Sequence, residues 1–163
     1  MPIRSLCPQA AFEYEFEQVF QKKMKGLPIC RSDLRVRALG FQSYREHWIG
    51  ALVTPWSVLI VFASGNQKTW PTIQEGKITT VNLPGGPFSF LGMRGERVGT
   101  FLACSLISPI ERMFNQRNVE DFALKALTMM LTPLSEDTQN KSDAIPKKFS
   151  RRDFFQPFSQ EMK

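Results

Sequence analysis

Phe12, Phe16, Val19 and Phe20 recur at the spacing of one helical face, which predicts an amphipathic helix over residues 8–25. Pro8 suits the first helical position, and Gly26 followed by Pro28 closes the segment. From Leu34 to Ser105 the apolar period shortens to that of strands. Leu34 to Phe41 alternates with Arg35 and Arg37. Trp48 to Thr54 and Ser57 to Ala63 are β-rich runs separated by Pro55, which has no N–H to give to a ladder. Val58-Leu59-Ile60-Val61-Phe62 is apolar on both faces, the pattern of a central strand covered on two sides. Lys77 to Leu83, Phe88 to Leu91 and Arg97 to Leu106 are further strand candidates. Turns are expected at Ser64-Gly65-Asn66 and at Leu83-Pro84-Gly85-Gly86-Pro87.

The helical period then returns. Ser108-Pro109-Ile110-Glu111 has capping-box spacing and predicts a short helix, with proline at its first position. Asn118, three residues before Asp121, signals a second helix carrying Phe122, Ala123, Ala126, Leu127 and Met130 on one face, stopped by Pro133. The fold class is therefore α+β: a mainly antiparallel five- or six-stranded sheet with an N-terminal helix and C-terminal helices packed on it. This single domain covers residues 8–132. Residues 133–148 read as a polar linker and 149–163 as a basic, aromatic tail.

Composition narrows the function. With 42% apolar and 22% charged residues in 163, a packed core is expected and wholesale disorder is excluded. Three Cys without a CxxC pair, and a single His, do not make a four-ligand zinc site or a disulfide scaffold, and point to a reducing compartment. Glu13, Glu15, Glu17 and three Lys within the first 25 residues leave no secretory apolar region. The longest apolar run, Val58 to Ala63, is far short of the roughly 20 residues of a membrane span. The expectation is a cytoplasmic protein without membrane insertion. The net charge of +6 is unevenly placed: residues 1–20 carry −2, residues 21–46 carry +5 and residues 141–163 carry +3. No RNA-recognition, KH or helix-turn-helix signature accompanies this excess, so no nucleic-acid partner is expected.

Catalytic chemistry finds little purchase. Cys104-Ser105 with His47 would need a base in reach and a group to orient it, and Cys104 falls where a strand alternates into the core. His47, beside Trp48 in an expected turn, reads as a solvated side chain. Gly85-Gly86 lacks the following Lys-Ser/Thr of a phosphate loop. Two features resist a structural account. Trp48 and Trp56 bracket a Thr54-Pro55 break, either as core residues or as an aromatic binding surface. Ser150-Arg151-Arg152-Asp153-Phe154-Phe155 spells the consensus of a twin-arginine export signal, at the wrong end of the chain and without an apolar helix after it.

Together these residues resemble the HybE/HupJ/HoxT family of [NiFe]-hydrogenase assembly chaperones. The resemblance rests on Trp48-Ile49-Gly50-Ala51-Leu52-Val53-Thr54-Pro55-Trp56, on Trp70-Pro71 with Leu83-Pro84-Gly85-Gly86, and on Cys104-Ser105-Leu106-Ile107-Ser108-Pro109. It covers about residues 10 to 132. Some members of that family carry an added rubredoxin-like iron module with two CxxC pairs, which this chain lacks, so no cofactor is expected. The resemblance implies a non-enzymatic chaperone for an uptake [NiFe] hydrogenase. Its partner would be the small-subunit precursor with its twin-arginine signal, and beyond it the large subunit and other maturation factors. One alternative is a protector of the Fe–S small subunit in air, acting on the folded domain; another is a thiol enzyme using Cys104. Trp48, Thr54, Pro55, Trp56, Gly85 and Gly86 are the family-matching candidates for partner binding. A signal with paired arginines also requires an acidic or carbonyl-rich pocket in this basic protein, for which Glu13 and Glu17 are the candidates. Arg151, Arg152, Phe154 and Phe155 are candidates for an internal pseudo-signal that competes for such a pocket.

Overall fold

A computed structural model describes residues 7–134; most of the expected linker, 133–148, and all of the expected tail, 149–163, lie outside the described residues. The first helix, α1 (Gln9–Val19), runs directly into a π-helical turn, Phe20–Met24, whose last amide, Lys25 N–H, reaches back to the Phe20 carbonyl at 2.7 Å. Pro8 stands one position before the helix rather than inside it. Gly26, at φ +87°, ends the segment in the left-handed conformation that glycine adopts most cheaply.

Six strands follow: β1 (Arg37–Tyr44), β2 (His47–Thr54), β3 (Ser57–Ala63), β4 (Ile78–Leu83), β5 (Gly86–Gly95) and β6 (Gly99–Ile107). They form one antiparallel sheet in the order β1-β2-β3-β6-β5-β4. β3 is central and buried along its whole length. Its Val58, Ile60 and Phe62 pack with the last helix, α2 (Gln116–Leu131), while Leu59, Val61 and Ala63 pack with Phe12 and Phe16 of α1. The unbroken apolar run thus fills two cores, one on each face of the sheet.

Three further expectations are corrected. β1 starts at Arg37 rather than Leu34, because the Arg35 amide donates to the Gln116 side chain at 2.8 Å instead of to a neighbouring strand. No helix forms at Ser108-Pro109-Ile110-Glu111. That segment is an irregular crossing after a cis Ser108–Pro109 bond, and the Arg31 guanidinium donates to its Glu111 and Phe114 carbonyls at 2.6 and 2.7 Å. Among the described residues a single C-terminal helix therefore packs on the sheet. Its cap is Asn115, whose Oδ1 accepts the Asn118 N–H at 2.8 Å, so Asn118 lies within the first turn.

Candidate functional site

The register brings three of the motif segments to one end of the sheet. Thr54-Pro55-Trp56 turns β2 into β3, Val58 pairs with Ile107 at the end of β6, and Leu83 pairs with Gly86 across the β4–β5 turn. Thr54 is fully buried and builds its own turn: Oγ1 accepts the Ser57 N–H at 2.9 Å and the Trp56 N–H at 3.3 Å. Arg31 fastens that turn to the crossing after β6, since its amide donates to the Pro55 carbonyl at 2.9 Å while its guanidinium holds Glu111 and Phe114. Gly85 is likewise structural. Its N–H donates to the Met130 carbonyl at 2.9 Å, and an added Cβ would stand 2.5 Å from the Met129 carbonyl oxygen. The β2–β3 and β4–β5 turns are about three strand spacings apart, near 14 Å, so Gly85 and Gly86 do not adjoin Trp56.

The two tryptophans are not one patch. Trp48 pairs with Ser43 and Ala63 at the other end of β2, about 20 Å from Thr54 along the strand, and stacks on no ring among the described residues. Trp56 is half-buried and lies parallel to Phe20, with ring centroids 6.3 Å apart and planes 12° from parallel. That stack stands beside an open groove of about 500 Å³ between α1, the approach to β1 and Pro55. Glu13 and Glu17, from successive turns of α1, line it, so Glu13, Glu17, Pro55 and the Phe20–Trp56 stack are neighbours.

This groove is less acidic than two carboxylates suggest. Glu13 Oε2 accepts the Ala38 N–H at 2.8 Å and lies 3.6 Å from the Arg37 guanidinium, which also reaches Glu120 at 3.7 Å. Arg35 lines the groove as well. Glu17 accepts a hydrogen bond from Gln21 Nε2 at 2.8 Å and is in no ion pair among the described residues. It is the carboxylate a cationic ligand would meet.

His47 is not solvated, contrary to the sequence reading. It is buried, its Nδ1 accepts the Gly65 N–H at 3.0 Å, and its ring packs edge-on against Phe62 and Trp70. Burial pushes its pKa below the usual histidine value, against a smaller opposite pull from Glu46. It is far from Cys104, which sits mid-strand on β6 opposite Ile60. Burial raises the Cys104 thiol to about 12, which works against a nucleophilic thiolate. Among the described residues no group of three or more His, Cys, Asp or Glu is placed to hold a metal ion, and no helix is long and apolar enough to cross a membrane.

The family model for the [NiFe]-hydrogenase assembly chaperone HybE matches residues 7–157. The chain belongs to the HybE family. Its relatives include the hydrogenase-2 operon protein HybE of Escherichia coli K12, 26% identical over 129 residues, spanning 77% of this chain and 80% of that one. The hydrogenase expression/formation protein HupJ of Bradyrhizobium diazoefficiens is 24% identical over 140 residues, 85% of this chain and 81% of that one. The probable rubredoxin HupJ of Rhodobacter capsulatus is 27% identical over 114 residues, 70% of this chain but only 41% of the relative's length. The solution structure of HybE from Escherichia coli has the same fold, with a TM-score of 0.65 at 23% identity over 80% of this chain and 81% of that one. On this HybE scaffold the sequence missed two organising side chains, Arg31 and Glu15. The Glu15 carboxylate is buried against three amides of the β5–β6 turn. A lone charge on an otherwise apolar helix face was the only local signal for it.

Proposed function

We propose that this HybE-family chain is a cytoplasmic, non-enzymatic chaperone in the maturation of an uptake [NiFe] hydrogenase. It binds the small-subunit precursor through its twin-arginine signal until cofactors are inserted and the subunits have joined. The large subunit and other maturation factors are its further partners. One observation carries the reading: Glu17, without an ion-pair partner among the described residues, shares a groove with Pro55 beside the Phe20–Trp56 stack. A signal offers the matching chemistry, guanidinium forks for a carboxylate and aromatic or aliphatic side chains for the stack.

The test is binding of the precursor with and without its signal, measured with the full chain. Loss of binding on removing the signal supports the proposal. Retained binding would replace it with the protector reading, in which the folded Fe–S domain is what the chaperone holds.

A further inference from the structure

The α1 segment is a ridge with a groove on either flank, and the second groove has the opposite character. It encloses about 340 Å³ between the outer side of α1, the π-helical turn and the β5–β6 turn. Lys22 and Lys23 stand on its helical wall, Arg94 and Arg97 on its hairpin wall. All four are exposed, and none is in an ion pair among the described residues. Arg97 lies over the Tyr14 ring instead, 4.3 Å from its centroid. Glu15 lines the groove but is turned into the amides of the β5–β6 turn, which leaves Glu96 as the one exposed carboxylate among four cations. The lysines sit on a π-helical turn, a conformation found disproportionately at functional sites.

We infer that this groove docks an acidic stretch of polypeptide, a run of Asp and Glu side chains lying between the two walls. Cations on both walls let one acidic strand pair on two sides, and arginine forks suit carboxylates in particular. The Tyr14 ring holds Arg97 in place before binding, which reduces the entropy lost on contact. The cationic patch is short, contains Glu96 and is flanked across the ridge by Glu13 and Glu17. That does not suit a phosphate backbone, which needs a continuous cationic track. The inference rests on the proposed function only in taking the client to be a protein; it gives that client a second contact, opposite in sign to the signal.

A labelled octaglutamate peptide titrated into the full 163-residue chain at low salt, followed by fluorescence anisotropy, tests it. Saturable binding is expected, weakened by about tenfold in Lys22→Glu/Arg94→Glu and by less in Lys22→Gln/Arg94→Gln. Arg112→Glu/Lys125→Glu makes the same change in net charge at exposed positions outside the groove, and should leave binding within about twofold. Equal losses in the two reversal pairs would overturn the inference, because binding would then follow net charge alone. Tighter, groove-dependent binding of a single-stranded oligonucleotide would overturn it in favour of nucleic acid. A twin-arginine signal peptide should bind the groove variants undiminished, so failure here and failure of the proposed function are separate results.

Discussion

Glu15 shares the buried face of α1 with Phe12 and Phe16, and its charge is tolerated there because backbone amides meet it. The Glu96, Arg97 and Val98 N–H groups donate to its two oxygens at 3.2, 2.7 and 3.4 Å. An added Cβ on Gly95 would stand 2.9 Å from the Glu15 carboxyl carbon, so that glycine makes room for it. Glu15→Gln keeps the size but removes the charge and one acceptor, and should cost about 1–3 kcal/mol in urea unfolding. His47 makes a second prediction. Its Nδ1 is an acceptor for the Gly65 N–H, a role that only the unprotonated nitrogen fills, and its folded-state pKa is lowered by burial. The stability it contributes is thus fully present above the ordinary histidine pKa of about 6.5 and is lost as pH falls from there through the depressed folded value. Melting temperature measured from pH 8 to 5 should fall over that window, and the His47→Gln variant should lack that component of the slope.

At the level of elements, what could be read from the sequence depended on where each signal came from. β2 and β3 match their expected bounds almost to the residue, because alternation and Pro55 are local information. The start of β1 and the failed helix at Ser108 were misread for a common reason. Each is decided by Arg31, Arg35 or Gln116, whose partners lie some 80 residues away in sequence. The β1–β2 turn shows the same limit. Arg45 and Glu46 adopt φ of +48° and +69°, with neither Gly nor Asn to announce a hairpin. Glu46 is held there by the Asn66 amide at 2.9 Å. The α2 cap gives a direct check: Asn115→Ala should cost about 1 kcal/mol, and Asn118→Ala, inside the helix, well under half of that. Thermal unfolding of the two variants distinguishes the observed cap from the expected one.

At the scale of the whole molecule, the motifs and their order carried the resemblance to the family, while the site needed the fold. Glu17 and Pro55 lie 38 positions apart, and the sequence offered no reason to place them in one groove. It also grouped Trp48 with Trp56, which the antiparallel register sends to opposite ends of β2. The tail segment Ser150-Arg151-Arg152-Asp153-Phe154-Phe155 lies outside the described residues, and its proposed role is that of an intramolecular competitor for the signal groove. Truncation at Asn140 should therefore tighten binding of a signal peptide, and Arg151→Gln/Arg152→Gln should do the same. Equal affinities would show that the tail does not compete.

The central claim is that the groove beside α1 receives the signal through Glu17 and the Phe20–Trp56 stack. Calorimetric titration of a twin-arginine signal peptide into the full chain, Glu17→Gln and Trp56→Ala tests it most directly. Truncating an aromatic anchor costs about 2 kcal/mol, so Trp56→Ala should bind roughly thirtyfold more weakly, with its circular dichroism unchanged. Glu17→Gln should weaken the same peptide, but not one whose arginines are replaced by glutamine. Wild-type affinity in both folded variants would contradict the account and place the client elsewhere on the molecule.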